Sequence, residues 1–271
     1  MSAPAGIEES LPFDISIVGL GIVAVHQMTR EVEGVIRQSR HCLLADPSFG
    51  VRSYLQSICP KVTGLNSFYE PGKSRLPTYR RMAAEVIDAA LAEAPVCFAT
   101  YGHPLVYCYP TTLIKRAAVL LNLRVEIFPG ISSLDTLLID LGVDVGLEGL
   151  QMYEATDLLL YRKPIHKEIP CILWQAHVVA DPTYQTERRL VEDFLPLQNY
   201  LLDFYPPKHL VTLVLSKTFP LVEPLVETFS LGTLAERLVE GPQLGNLYIP
   251  PLRRAEVKDL DLLGKMQSSG R

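Results

Sequence analysis

The stretch NSFYEPGKSRLPTY, residues 66–79, contains Tyr69, Arg75 and Tyr79. A phenol both donates and accepts hydrogen bonds and can hand over a proton, and a guanidinium carries a permanent charge. Free tyrosine titrates near pH ~10, and a neighbouring cation favours its phenolate. Two phenols and one guanidinium so close in sequence could move a proton, or hold an oxygen that gains negative charge. Each also has a plain structural use when read singly. Tyr69 could close the edge of a core, Tyr79 could be the first core residue of an amphipathic helix, and Arg75 could pair with Glu70.

Placing these groups requires ordered elements around them. From Thr78 to Glu93 the apolar residues Met82, Ala83, Val86, Ile87, Ala90 and Leu91 recur at helical spacing. A helix beginning near Pro77 brings Arg75 and Tyr79, four residues apart, to one side of its first turn. Upstream, FDISIVGLGI (13–22) reads as a strand running into a Gly-x-Gly turn, followed by the amphipathic stretch HQMTREVEGVIRQSR. HCLLAD (41–46), KVTGL, VCFATY (96–101) and RVEIF (124–128) read as strands, with GVRSYLQSIC and TTLIKRAAVLLN as helices between them. Strands alternating with helices predict crossover connections, a mainly parallel sheet and helices on both of its faces. After PGISSLDTLLIDLG (129–142) the pattern changes. LQMYEA, CILWQA, LVTLVLS and NLYIPPL are strand candidates separated by less regular pieces, so a mixed sheet is expected there. The expected organisation is an α/β chain with a tail over 1–12, an N-terminal lobe over 13–129, a C-terminal lobe over 130–252 and a C-terminal tail over 253–271 holding a short helix.

The chain has 271 residues, 48% of them apolar and 20% charged, which suits a well-cored globular protein and not a disordered one. A net charge of −5 argues against a broad nucleic-acid surface. Five cysteines, with no C-x-x-C pair, point away from a disulfide framework or zinc site and toward small buried residues in a reducing cytoplasm. No metal is expected. MSAPAGIEES has neither a basic nor an apolar signal region, and no apolar run reaches the length of a membrane span. Trp174, the only tryptophan, reads as core.

VGLGIV invites a dinucleotide-binding reading, with Asp46 as the acid after the second strand, but position 24 is alanine and no helix opens at once. Tight strand-to-helix turns need glycine whatever they bind. The turns TYGHP (100–104) and FPGISS (128–133) carry more weight. Both end strands of the expected sheet, and in open α/β sheets ligands sit outside the carboxyl ends of strands.

VGLG, YGHP and PGISS, in that order, resemble the turns of the tetrapyrrole methylase fold, and the likeness runs over about residues 13 to 252. His103 stands in YGHP where corrin-pathway members usually carry Asp. Tyr69, Arg75, Tyr79 and the Tyr101–Gly102–His103–Pro104 turn, together with ISSLDTLLIDLGVDVGLEGLQMYEA and ILWQA, resemble a narrower group, the borosin peptide backbone α-N-methyltransferases. The resemblance implies a two-lobed fold and S-adenosylmethionine as methyl donor, with S-adenosylhomocysteine as product. It implies that Gly102, His103, Val106, Tyr107, Ser132, Gln175 and Ala176 hold that cofactor between the two halves. Tyr109, which has no matching position, reads as packing. The resemblance further implies a homodimer acting on a peptide, and the short tail KMQSSGR, without an apolar run, suggests an acceptor on a separate precursor chain.

An amide nitrogen is a poor nucleophile because its lone pair is delocalised into the carbonyl. On this reading Tyr79 is the candidate base, Arg75 favours its phenolate, and Tyr69 and Tyr101 donate to the amide oxygen. Which tyrosine takes the proton is left open by the sequence. Two other readings remain: C-methylation of a tetrapyrrole macrocycle, for which the Tyr/Arg/Tyr set has no obvious use, and a catalytically silent cofactor- or peptide-binding protein.

Overall fold

The computed structural model describes residues 11–48, 50–185, 187–241 and 245–268. Apart from Leu11 and Pro12, the expected N-terminal tail lies outside these. The chain forms two compact units. One comprises Met1–Asp140, Pro182–Glu187 and Ser216–Pro224; the other comprises Leu141–Asp181, Arg188–Leu215 and Leu225–Arg271.

The first unit is built on five strands: β1 (Ile15–Gly19), β2 (His41–Ala45), β3 (Val62–Gly64), β4 (Val96–Thr100) and β5 (Val125–Phe128). They lie in the order β3-β2-β4-β1-β5, every pair parallel. A parallel sheet covered on both faces needs strands that are apolar throughout, and β1 and β4 are buried at every position. Alternation along the strands divides the core in two. Val18, Cys97 and Ala99 pack with Val32 and Ile36 of α1 (Arg30–Gln38) and Leu55 of α2 (Val51–Ile58). Ile15, Ile17 and Phe98 pack with Met82 and Val86 of α3 (Arg75–Glu93) and Ile114 of α4 (Tyr109–Leu120).

Local chemistry sets the helix starts. The Thr29 hydroxyl accepts the Val32 N–H at 3.1 Å, and Glu31 and Glu33 occupy the positive end of α1. Ser74 caps α3 by accepting from the Leu76 N–H at 3.4 Å, so the helix opens at Arg75, two residues before Pro77. The expected apolar stripe of α3 is buried except for Leu91, which lies one step round from Ala90 and is 58% exposed.

Helix α5 (Ser133–Leu141) follows β5. Beyond it come α6 (Val145–Glu148), β6 (Gln151–Glu154), α7 (Ala155–Leu160), β7 (Cys171–Trp174), α8 (Leu195–Leu202), β8 (Leu210–Leu215), β9 (Leu225–Ser230), α9 (Leu234–Glu240), β10 (Asn246–Ile249) and α10 (Leu260–Ser268). The second sheet runs β6-β7-β10-β8-β9. It is mixed, as expected: β6 and β7 are parallel and the other pairs antiparallel. β9 is a strand absent from the sequence reading. Trp174 is buried, and the cysteines are free, all buried except the half-buried Cys108. Among the described residues no helix is long and apolar enough to cross a membrane, and no cluster of ligating side chains could hold a metal ion.

Candidate active site

Three glycine turns meet at the carboxyl edge of the first sheet. A Cβ on Gly19 would lie 2.4 Å from the Gly102 carbonyl oxygen and 2.6 Å from the Gly130 nitrogen; one on Gly130 would meet the same carbonyl at 2.4 Å. The Gly21 and Gly102 N–H groups each donate to the other residue's carbonyl, at 3.3 and 2.9 Å. Gly102 has φ +67° and Gly21 φ +81°, a region open to glycine at no steric cost. VGLG, YGHP and PGISS are thus one backbone junction, and its glycines are explained by contact with each other.

Tyr101 leaves this junction directly after β4. The Tyr/Arg/Tyr set lies on the same unit. Tyr69 ends the 3-10 turn Asn66–Phe68, Arg75 is the first residue of α3, and Tyr79 stands one turn further. The Tyr79 ring meets Tyr69 edge to face, with centroids 6.2 Å apart and planes at 88°, and meets Tyr109 at the same separation and 63°. On Tyr69's other side Tyr184 packs at 4.8 Å, tilted by 33°. The four rings form a continuous aromatic row, Tyr184–Tyr69–Tyr79–Tyr109.

Electrostatics distinguishes the phenols. Burial pushes Tyr69 well above its ordinary range; Tyr79 adds to this, and Arg75 acts in the opposite sense. Burial raises Tyr101 up to about 12, and the carboxylate of Asp46 adds to that. Both phenols therefore stay protonated and can donate. Asp46 is itself buried, and its own carboxyl is raised by burial. Its Oδ1 accepts the Ser48 N–H at 2.7 Å, while Oδ2 has no hydrogen-bond partner among the described residues.

The residues expected to hold a cofactor fall in three places. In the YGHP turn, His103 Nδ1 accepts the Leu105 N–H at 3.1 Å and the His103 carbonyl accepts from Val106 at 3.0 Å. Tyr107 follows at φ 54°, a left-handed conformation uncommon for a bulky side chain. After β5, the Ser132 N–H and hydroxyl both donate to Asp135 Oδ2, at 2.7 and 2.8 Å, closing a cap on α5. In the second unit, Gln175 ends β7 at φ 58° and ψ 30°, and the buried Ala176 opens a 3-10 turn. Such strained backbone clusters at ligand clamps.

The profile of the tetrapyrrole (corrin/porphyrin) methylases matches residues 14–194, well over half of the chain. The chain belongs to that family. Membership implies S-adenosylmethionine as the methyl donor. Among similar proteins is a methyltransferase/ribosomally synthesized type I borosin cyclic peptide precursor of Coprinopsis marcescibilis. It is 29% identical, over 88% of this chain and 62% of the relative. The methyltransferase/dendrothelin A precursor of Dendrothele bispora is 27% identical, over 92% of this chain and 60% of its own length. The chain thus spans about three fifths of the length of these relatives. Among solved structures, the methyltransferase CobJ superposes with a TM-score of 0.61 at 15% identity, covering 89% of this chain and 96% of that one. The uroporphyrin-III C-methyltransferase of Thermus thermophilus gives 0.59 at 16% identity, covering 93% and 95%. These two likenesses carry the fold alone.

Two members of the aromatic row lie beyond the sequence reading. Tyr109, expected only to pack, flanks Tyr79. Tyr184 is not marked by anything local, since nothing in DPTY points to the site. Its only sequence signal is a proline turn in an irregular segment.

Proposed function

We propose that this chain uses S-adenosylmethionine to N-methylate backbone amides of a precursor peptide supplied as a separate chain. The observation that carries the reading is the Tyr69–Tyr79 ring pair, with Arg75 one turn before Tyr79, on the same unit as the glycine junction. A set of one guanidinium and two phenols suits proton removal and oxyanion stabilisation at an amide. Tyr79 takes the amide proton, and Tyr69 and Tyr101, both held protonated, donate to the amide oxygen as it gains charge. Arg75 favours the phenolate form of Tyr79 that accepts this proton and becomes the neutral phenol. S-adenosylmethionine, when bound, supplies the electrophilic methyl group. Gly102, His103, Val106, Tyr107, Ser132, Gln175 and Ala176 would hold it. The left-handed backbone at Gly102, Tyr107 and Gln175 suits close approach of a ligand to the main chain. Tyr101 and Tyr109 are each more than a third exposed, within reach of an incoming chain. The chain acts as a homodimer, a reading supported by the exposed run Val119, Leu120 and Leu121 at 79%, 85% and 46%.

The test incubates the purified protein with S-adenosylmethionine and, in separate tubes, an apolar peptide library and uroporphyrinogen III. Mass spectrometry with backbone fragmentation should place methyl groups on peptide nitrogens. Methylation of the macrocycle alone overturns the peptide reading; no methylation, and no S-adenosylhomocysteine binding by calorimetry, overturns the enzyme. Light scattering should give twice the chain mass, and a monomer at micromolar concentration rejects the dimer.

A further inference from the structure

The segment Pro182–Glu187 belongs to the first unit, while the chain on either side of it belongs to the second. It is laid as an antiparallel strap along the loop that leads into α3. Ser74 and Thr183 form a β-bridge. The Gly72 N–H donates to the Tyr184 carbonyl at 2.8 Å, the Tyr184 N–H donates to the Lys73 carbonyl at 2.8 Å, and the Arg75 N–H donates to the Pro182 carbonyl at 2.9 Å. The Arg75 guanidinium Nε also reaches the Pro182 carbonyl, at 3.5 Å. One strap therefore holds the Arg75 backbone and steadies its side chain.

The same strap delivers Tyr184 onto Tyr69. The main chain around Tyr69 is already fixed: its N–H donates to the Asn66 carbonyl at 3.2 Å, and the Thr78 hydroxyl donates to the Phe68 carbonyl at 3.2 Å. Arg81 lies over the Phe68 ring at 4.0 Å. What remains free is rotation of the Tyr69 side chain. The Tyr79 ring stops it on one side and Tyr184, 4.8 Å away, stops it on the other. Tyr184 is 39% exposed, so it is not held there by the demands of a core.

We propose that Tyr184 is a positioning residue: it clamps the Tyr69 ring against Tyr79 so that the Tyr69 hydroxyl is aimed at the acceptor amide oxygen. The inference rests on the function proposed above. A misplaced donor loses transition-state stabilisation, and small displacements of catalytic groups carry large rate penalties. The effect belongs in kcat, with KM and cofactor affinity little changed, because the clamp acts on a donor whose interaction strengthens in the transition state.

The test compares Tyr184→Ala and Tyr184→Phe. Tyr184→Ala should lower kcat by about tenfold to a hundredfold, with S-adenosylhomocysteine affinity and Tm near the parent's. Tyr184→Phe keeps the ring and should restore the rate. Tyr184→Ala should add little to Tyr69→Phe, since both act through one hydroxyl. A second measurement needs no turnover. In protein labelled at tyrosine 13Cζ, the Tyr69 resonance, assigned by its loss in Tyr69→Phe, should move in Tyr184→Ala and stay in Tyr184→Phe. An unmoved Tyr69 resonance, or a Tyr184→Ala enzyme turning over at the parental rate, overturns the proposal. If the parent methylates no acceptor, the proposed function falls, and the resonance still decides whether Tyr184 clamps Tyr69.

Discussion

Tyr69 and Tyr79 meet edge to face, with ring centroids 6.2 Å apart and planes at 88°. The arrangement is unequal. Burial holds Tyr69 well above its ordinary range, with a smaller contribution from Tyr79, so Tyr69 keeps its proton and can donate a hydrogen bond to the amide oxygen of the proposed acceptor. On the proposed function, that leaves the proton-accepting role within the pair to Tyr79.

Tyr79→Phe keeps the ring contacts with Tyr69 and Tyr109 and removes only the hydroxyl. Methyl transfer should fall by on the order of a hundredfold or more, with S-adenosylhomocysteine affinity unchanged. Arg75→Lys should also be impaired, because an ammonium does not reproduce the guanidinium's fork. The double variant should be little worse than the poorer single one. Time-resolved mass spectrometry of the acceptor, with calorimetry in parallel, reads both. A Tyr79→Phe enzyme at the parental rate would move the base to Tyr69 or Tyr101.

The glycine junction makes a steric prediction. Gly19→Ala and Gly130→Ala each drive a methyl into backbone atoms within 2.4 to 2.8 Å, with no flexible side chain to yield. Overpacking of this kind destabilises by about 1–3 kcal/mol or more. Gly34, in α1, has open space within 4 Å of where a Cβ would sit, so Gly34→Ala should stabilise by about 0.5–1 kcal/mol. Denaturant melts of the three variants should split in opposite directions. Equal stabilities would show that the junction is looser than its distances imply.

Asp46 links stability and chemistry through pH. Its carboxyl titrates above the unfolded value of 3.8 because burial disfavours the charge. The folded state therefore holds its proton more tightly than the unfolded chain does. Stability falls as pH rises from the unfolded value through the folded one, then levels. Asp46→Asn preserves an acceptor for the Ser48 N–H and removes the charge. It should match the parent in acid and exceed it in thermal stability above that window. Tyr101, relieved of the carboxylate, should titrate below its present value of about 12. Ultraviolet titration against Tyr101→Phe isolates that phenol; an unshifted Tyr101 rejects the coupling.

Ser132→Ala removes the hydroxyl that donates to Asp135 Oδ2 and accepts from the Asp135 N–H at 3.3 Å. Loss of such a cap costs about 0.5–2 kcal/mol. Chemical denaturation should show that loss without cofactor present. A variant of unchanged stability but weakened S-adenosylhomocysteine binding would move Ser132 from helix cap to ligand contact.

The sheets were legible where burial leaves a periodic trace. β1 and β4 are buried throughout and read as mostly apolar runs, interrupted by Ser16 and ended by Thr100, and the face of α3 repeats at helical spacing. β9 left no such trace. It is an edge strand paired only with β8, and Leu225, Val226 and Thr228 are exposed, so LVETFS shows no alternation. In the site, Tyr69, Arg75 and Tyr79 were legible because they are neighbours in sequence. The convergence of VGLG, YGHP and PGISS followed from their common place at strand ends. Tyr184 was not legible: the bond between Arg75 and Pro182 joins residues 107 apart, and only tertiary structure brings the strap to Tyr69.

The strap has a consequence for how the protein is made. A ribosome delivers β1 to β5 and α3 first, Arg75 and Tyr79 among them. Pro182–Glu187 emerges on the order of several seconds later at ordinary rates of synthesis. Until then the loop at Gly72–Arg75 lacks its partner strand, and Tyr69 lacks the Tyr184 ring. A nascent chain stalled after Asp140 would carry the phenols and guanidinium without the clamp. The contacts of the strap with Gly72–Arg75 and with Tyr69 are therefore completed in the same interval that the second unit is being translated.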